Sequence, residues 1–103
     1  MRAPASVRVL GRTYKVTCEN EPTRAGYCDN RFGVINVMPD QDEFSLRDTL
    51  LHECMHALLY QQGSTHVYKL EEKFVRPLAT GLMTLFQDNP ALVKTLFSPV
   101  APK

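Results

Sequence analysis

The stretch LLHECMHALLY, Leu50–Tyr60, decides how this chain is read. Leu50, Leu51, Met55, Leu58 and Leu59 make it the centre of an apolar helix, anchored against whatever packs on it. Two histidines and a glutamate interrupt that pattern. Buried polar groups must be paired or bound, so His52, Glu53 and His56 need a reason to be there. On an α-helix, residues i and i+4 stand one turn apart on the same face. His52 and His56 therefore point to one place. Glu53 lies roughly 100° further round, beside that place rather than in it.

Two imidazoles so placed can both reach one zinc ion at about 2.0–2.1 Å. Zinc lowers the pKa of a water it holds to about 7. Glu53 is then positioned to take that proton as general base, so the H-E-x-x-H spacing suits metal-assisted hydrolysis of a peptide bond. The plainer alternative is a pair of satisfied core histidines with a surface glutamate beside them.

Working outward, Ser45 reads as the N-cap of this helix, with Asp48 three residues on imitating a capping box. The helix should run from about Leu46 to Gln62 and stop at Gly63. After GSTHVYK, a second helix is expected from about Leu70 to Gln87, closed by Asn89-Pro90. Pro77 should kink that helix or mark its start. PALVKTLF reads as a last short helix. Upstream, SVRVLGRTYKVT alternates apolar and polar residues about a turn at Gly11-Arg12, and YCDNRFGVINVMPD forms a second hairpin on the turn residues Asp29-Asn30-Arg31. Strands come first and helices second, which is the α+β class. The expected architecture is a small antiparallel sheet of two hairpins packed on the H-E-x-x-H helix and a second, Glu-bearing helix. It forms one domain over residues 1–103, with 1–5 and 98–103 as loose ends.

A catalytic zinc needs a third protein ligand. His66, Glu71 and Glu72 are the candidates. In HECMHALLYQQGSTH, Gly63 and His66 keep the three-residue separation of the metzincin pattern but come too late in the chain, so that pattern is rejected. On the second helix, Phe74, Val75, Leu78, Leu82 and Leu85 cluster around Glu71, placing it near the centre of the apolar face. Glu72 falls at the edge of that face. Glu71 is the first choice as ligand and Glu72 the second; an acid in a first helical turn, favoured by the dipole, is the plainer reading of either.

Composition bounds the remaining function classes. With 103 residues the chain has room for one core. An apolar content of 44% and a charged content of 22% are those of an ordinary globular protein. A formal net charge of +1, spread without a basic stripe, offers no pull towards nucleic acid or an anionic membrane. No apolar run is long enough to span a bilayer, and MRAPASVRVLGR lacks the apolar core of a secretory signal, which favours the cytoplasm. Cys18, Cys28 and Cys54 are too few for a disulfide framework; a Cys18–Cys28 bridge is the one alternative, and Cys54 is expected to pack as a small apolar group.

H-E-x-x-H followed by a helix carrying a ligand glutamate resembles the gluzincin metallopeptidases. TLLHECMHALL, EEKFVRPLATGLMTLFQDNP and the AGYCDNRFGVINV hairpin resemble the small metallopeptidase-like proteins of phages and prophages, and more distantly the ImmA/IrrE-type peptidases. The resemblance spans roughly two thirds of the chain. It implies a minimal zincin-like fold with Zn²⁺ as cofactor, a peptide or protein substrate, and a bacterial cytoplasm. It also implies that an edge strand, here Val34, Ile35, Asn36 and Val37, holds the substrate backbone by strand addition. One departure is the Lys73-Phe74 pair after Glu72, where the ImmA/IrrE pattern has a small residue and often Asn; a polar partner for a ligand histidine is thus missing from this place. No His or Tyr follows Glu72, so His66 or Tyr68 would have to steady the transition state. A zinc-holding interaction module without protease activity is the alternative, and a separate regulatory protein could cover so open a site.

Overall fold

The computed structural model of the protein describes residues 3–63 and 68–99, with backbone only for residues 68–70. The fold is α+β, a four-stranded mixed sheet with three helices. Strands β1 (Ser6–Val9) and β2 (Arg12–Thr17) form the first hairpin, closed by the pair Val9↔Arg12. Its turn is Leu10-Gly11, one residue earlier than the sequence suggested. Both residues take the left-handed conformation, at φ 48° and 85°, that a two-residue hairpin loop requires.

Strands β3 (Gly26–Asp29) and β4 (Val34–Val37) form the second hairpin. Asp29 builds its loop: Oδ1 accepts from the Arg31 and Phe32 N–H groups at 3.0 and 3.1 Å, and its carbonyl from Gly33 N–H at 2.9 Å. Gly33 supplies the positive φ of 68° that returns the chain.

The two hairpins join with β4 parallel to β2, giving the order β1-β2-β4-β3. This corrects two expectations. The sheet is mixed rather than antiparallel, and Val34–Val37 is a central strand, not an edge; the edges are β1 and β3. The reason lies in β4 itself. Ile35, Asn36 and Val37 are all fully buried. A strand covered on both faces belongs in the middle of a sheet. Asn36 is a staple rather than a substrate contact. Its Oδ1 accepts from Thr17 Oγ1 at 2.7 Å and Glu19 N–H at 2.9 Å, and its Nδ2 donates to the Glu19 carbonyl at 3.0 Å. These bonds tie the chain leaving β2 to the sheet.

Helix α1 runs over Glu43–Gln61. Asp42, not Ser45, is its N-cap: the carboxylate accepts from Ser45 N–H at 2.8 Å and Ser45 Oγ at 3.0 Å. Both residues have capping chemistry, and Asp42 starts the helix three residues earlier than expected. Gly63, at φ 79°, ends it as anticipated. Helix α2 covers Tyr68–Asp88 and passes through Pro77, so Glu71 and Glu72 are helical. Pro77 cannot donate to the Lys73 carbonyl, but both residues are exposed, where water can serve it. Asn89 Nδ2 caps the Leu85 carbonyl at 2.8 Å, and α3 follows over Pro90–Phe97. Among the described residues, no helix is long and apolar enough to cross a membrane. The expected loose ends lie in part outside the described residues.

Helix α1 works through separate stripes. Leu46, Leu50, Cys54 and Ala57 face the sheet and join Val9, Tyr14, Ile35 and Val37 in the core. Asp48, His52 and His56 face α2 instead. Leu58, expected as an anchor, is exposed. Gly26 sets how closely β3 approaches α1. A Cβ there would stand 2.6 Å from the Asn36 carbonyl oxygen and 2.7 Å from Thr49 Cγ2, so a side chain would force the strand and helix apart.

Two tests follow from this packing. The hydrogen bonds from Ser45 hold the Asp42 carboxyl below its ordinary value of 3.8. The cap's contribution is therefore complete above that pH and fades as pH falls through the lowered pKa. Asp42→Ala should lower the melting temperature at pH 7, with the gap to wild type closing below pH 3.8. The three cysteines are free thiols. Burial pushes Cys28 up to about 12, with the Glu53 carboxylate adding to the effect, and burial raises Cys54 as well. Alkylation of the native protein at pH 8 should label Cys18, which is exposed, and reach Cys28 and Cys54 only after denaturation; peptide mapping reads the result.

Candidate metal centre

The histidine rings of α1 meet the first described turn of α2. His52 and His56 stand one turn apart, edge to face at an interplanar angle of 60°, with ring centroids 5.0 Å from each other. Their Nε2 atoms are 3.3 Å apart. Glu72 Oε1 lies 2.6 Å from both of them. The three groups form a convergent donor set, with all ligand atoms within 4.8 Å of one another. It is the one such cluster among the described residues.

The chemistry of this set fits a divalent ion. Two neutral imidazoles, which are borderline ligands, and one hard carboxylate make up the His₂Glu set that zinc takes in sites that keep an open position. The 3.3 Å separation of the imidazole nitrogens is close to the edge of a tetrahedron built on metal–nitrogen bonds of about 2.0 Å, while the two 2.6 Å contacts of Glu72 are hydrogen-bond lengths that would have to open to admit an ion.

Glu71 occupies a different place. Its Oε1 bonds to Nδ1 of His56, on the far side of the ring from the convergent atoms. This reverses the expected order: Glu72, and not Glu71, completes the cluster. The helical wheel erred because it weighted Phe74, Leu78 and Leu85 as inward-facing, and they are 64%, 53% and 44% exposed. The face that α2 turns to α1 runs through Glu72, Val75 and Ala79, of which Val75 and Ala79 are buried. Glu71 also supplies the polar partner that the residues after Glu72 lack. A carboxylate on the outer nitrogen fixes the ring's tautomer and aims Nε2 at the cluster.

Arg76, one turn beyond Glu72, donates to its other oxygen at 3.1 Å. Burial opposes ionisation of Glu72, yet the bonds from His56, the nearby His52 ring and Arg76 outweigh it, and the carboxyl stays below its usual range. Burial likewise pulls the His56 pKa down, but the bonds to Glu71 and Glu72 carry it above its ordinary value of 6.5.

Glu53 is buried between β3 and α1, 7% exposed, rather than lying on the surface. Burial pushes its pKa up to about 7; His56 and Arg24 act against the rise and Glu72 adds to it. A carboxyl that titrates near neutrality can accept a proton and return it. With His52, Glu72, Arg24, Gly26, Thr49 and Arg76 it lines a cavity of about 430 Å³. The sequence reading passed over both arginines. Arg76 was within reach, since an Arg four residues after a glutamate on a helix faces it. Arg24, in the loop before β3, gave no signal. His66 lies outside the described residues, as does the side chain of Tyr68.

Against known proteins, the chain matches no family model, no curated protein and no solved structure. The site therefore rests on its own geometry. Zinc titration against a competing chromophoric chelator should show one tight site, lost in His56→Ala and Glu72→Ala. Glu71→Gln should retain the site with affinity lowered about 10–100-fold. Tight binding in Glu72→Ala with none in Glu71→Ala would overturn the assignment of the two glutamates.

Proposed function

We propose that this protein is a zinc-dependent peptidase of the gluzincin type, with His52, His56 and Glu72 holding the metal. The observation that carries the reading is the convergence of those three groups beside a buried Glu53 that opens onto a cavity. Zinc held there would act as a Lewis acid on the scissile carbonyl and on water. Glu53 serves as general base, accepting a proton as water attacks and passing it to the leaving amine. Its burial raises the proton affinity that this exchange requires. Glu71 keeps the His56 ring oriented, and Arg76 steadies the Glu72 carboxylate.

The substrate backbone is assigned to β3 instead of β4. In the sheet order β3 has a free edge, and Gly26 at its start lines the same cavity as Glu53. An extended peptide added along that edge would pass over the cluster.

One feature favours a second reading, a zinc-holding interaction module without protease activity. The described cavity lining contains no tyrosine and no histidine beyond His52, and Arg24 and Arg76 are its cationic groups able to stabilise an oxyanion.

Digestion of a broad peptide library by zinc-loaded protein, with a chelator control, separates the two. The peptidase reading expects chelator-sensitive cleavage that Glu53→Gln lowers by about 10²–10⁴-fold while still binding one zinc. Stoichiometric zinc without cleavage would favour the module, and full activity in Glu53→Gln would refute the assigned base.

A further inference from the structure

The two hairpins present their turns at the same end of the sheet. β2 and β4 run parallel, so the Leu10-Gly11 turn before one and the loop of residues 30–33 before the other project together. Arg12 ties them to each other: its guanidinium donates to the Asn30 carbonyl at 2.5 Å and to the Arg31 carbonyl at 3.3 Å. Each turn carries a large apolar side chain into solvent, Leu10 60% exposed and Phe32 68%. Leu10 is out of keeping with its place. A two-residue loop with both residues left-handed takes Asn-Gly or Gly-Gly, because a larger side chain strains the backbone there. At φ 48°, Leu10 is the one residue other than glycine with positive φ among the described residues. Packing gives nothing in return, since the side chain is largely exposed. A strained backbone that displays an apolar group points to function rather than to folding.

Three guanidinium groups surround the pair. Arg8 Nη2 donates to the Gly11 carbonyl at 3.3 Å, Arg12 lies between the turns, and the Arg31 guanidinium stands 4.7 Å over the Phe32 ring. None of the three makes an ion pair with a carboxylate among the described residues. The first hairpin, residues 6–17, holds no Asp or Glu at all. Asp29 is the acid of the second turn, and its Oδ1 already accepts from the Arg31 and Phe32 N–H groups. These cations lie far apart in the sequence, and the parallel junction of β2 and β4 gathers them.

Apolar tips ringed by cations match the surface of an anionic bilayer. The apolar groups enter the headgroup boundary while the guanidiniums stay among the phosphates. A nucleic-acid strand would use the arginines and the Phe32 ring, but it has no use for the aliphatic Leu10. We propose that this end of the sheet docks the protein on membranes rich in anionic lipid, with Leu10 and Phe32 entering the headgroup region. The cavity beside the metal cluster is lined by Gly26, at the other end of β3, so docking leaves it open. Docking depends neither on zinc nor on peptidase activity.

Co-sedimentation of the full chain with vesicles tests this, using equal parts phosphatidylglycerol and phosphatidylcholine against phosphatidylcholine alone. Wild type should sediment with the anionic vesicles at low salt, and be released at about 0.5 M NaCl, where charges are screened within a few ångströms. Arg31→Gln should weaken binding about fivefold. Leu10→Asn should weaken it about tenfold at unchanged charge. Asn takes the left-handed conformation more readily than Leu, so this variant separates binding from folding, and circular dichroism checks that it is folded. No sedimentation at about 1 mM accessible lipid, where about a tenth of the affinity of one myristoyl chain would leave half the protein bound, overturns the proposal. So does Leu10→Asn binding as tightly as wild type, or binding to a single-stranded oligonucleotide with none to the vesicles.

Discussion

Four ionisable side chains, His52, His56, Glu71 and Glu72, are packed between α1 and α2, and those helices can meet there only because the four are paired. Each alone would be costly to bury. Together they leave no donor nitrogen of His56 without an acceptor, since Nδ1 meets Glu71 and Nε2 meets Glu72. The arrangement is asymmetric in its energetics. Removing one partner strands a buried group, whereas the intact set gains only modestly over water. A metal ion would replace the protons shared among His52, His56 and Glu72 and tie those three groups to a larger binding energy, with Glu71 still holding the outer nitrogen of His56, coupling occupancy of the site to the stability of the helix pair.

The sheet contributes through one edge. β3 is drawn onto α1 at Gly26, where the backbone comes closer than any side chain would allow. That approach buries Glu53 and shifts its proton affinity. Backbone packing at Gly26 thus helps keep the carboxylate beside the cluster buried, and that burial raises its proton affinity above that of a surface acid. The Asn36 staple acts behind it, securing the start of the long connection that leads from β2 to β3.

Local patterns were legible in the sequence, and their assembly was not. The i, i+4 histidines, the Asp29 turn and the Gly63 stop depend on neighbours a few residues away, and each was found where expected. The parallel junction of β2 and β4 depends on pairing between distant segments, which periodicity does not encode. The continuous burial of β4 was the available clue, since Val34, Ile35 and Val37 form a run suited to a central strand. The choice between Glu71 and Glu72 failed for another reason. A helical wheel assumes that the apolar arc faces inward, and that rule holds in one direction only.

The failure points to what shapes α2. Its inward face receives two imidazole rings and two carboxylates at one end, so its further contacts with α1 must be compact. Val75 and Ala79 fill that line, and Thr80 follows by donating to Asp48 at 2.9 Å. The bulky residues Phe74, Leu78 and Leu85 have no room there. On a chain this short, α1 has already given one stripe to the sheet and another to the cluster, and among the described residues the only other element against α2 is α3, through Phe97 on Phe86. Building a polar site between two helices has moved the larger apolar side chains of α2 to its outer face.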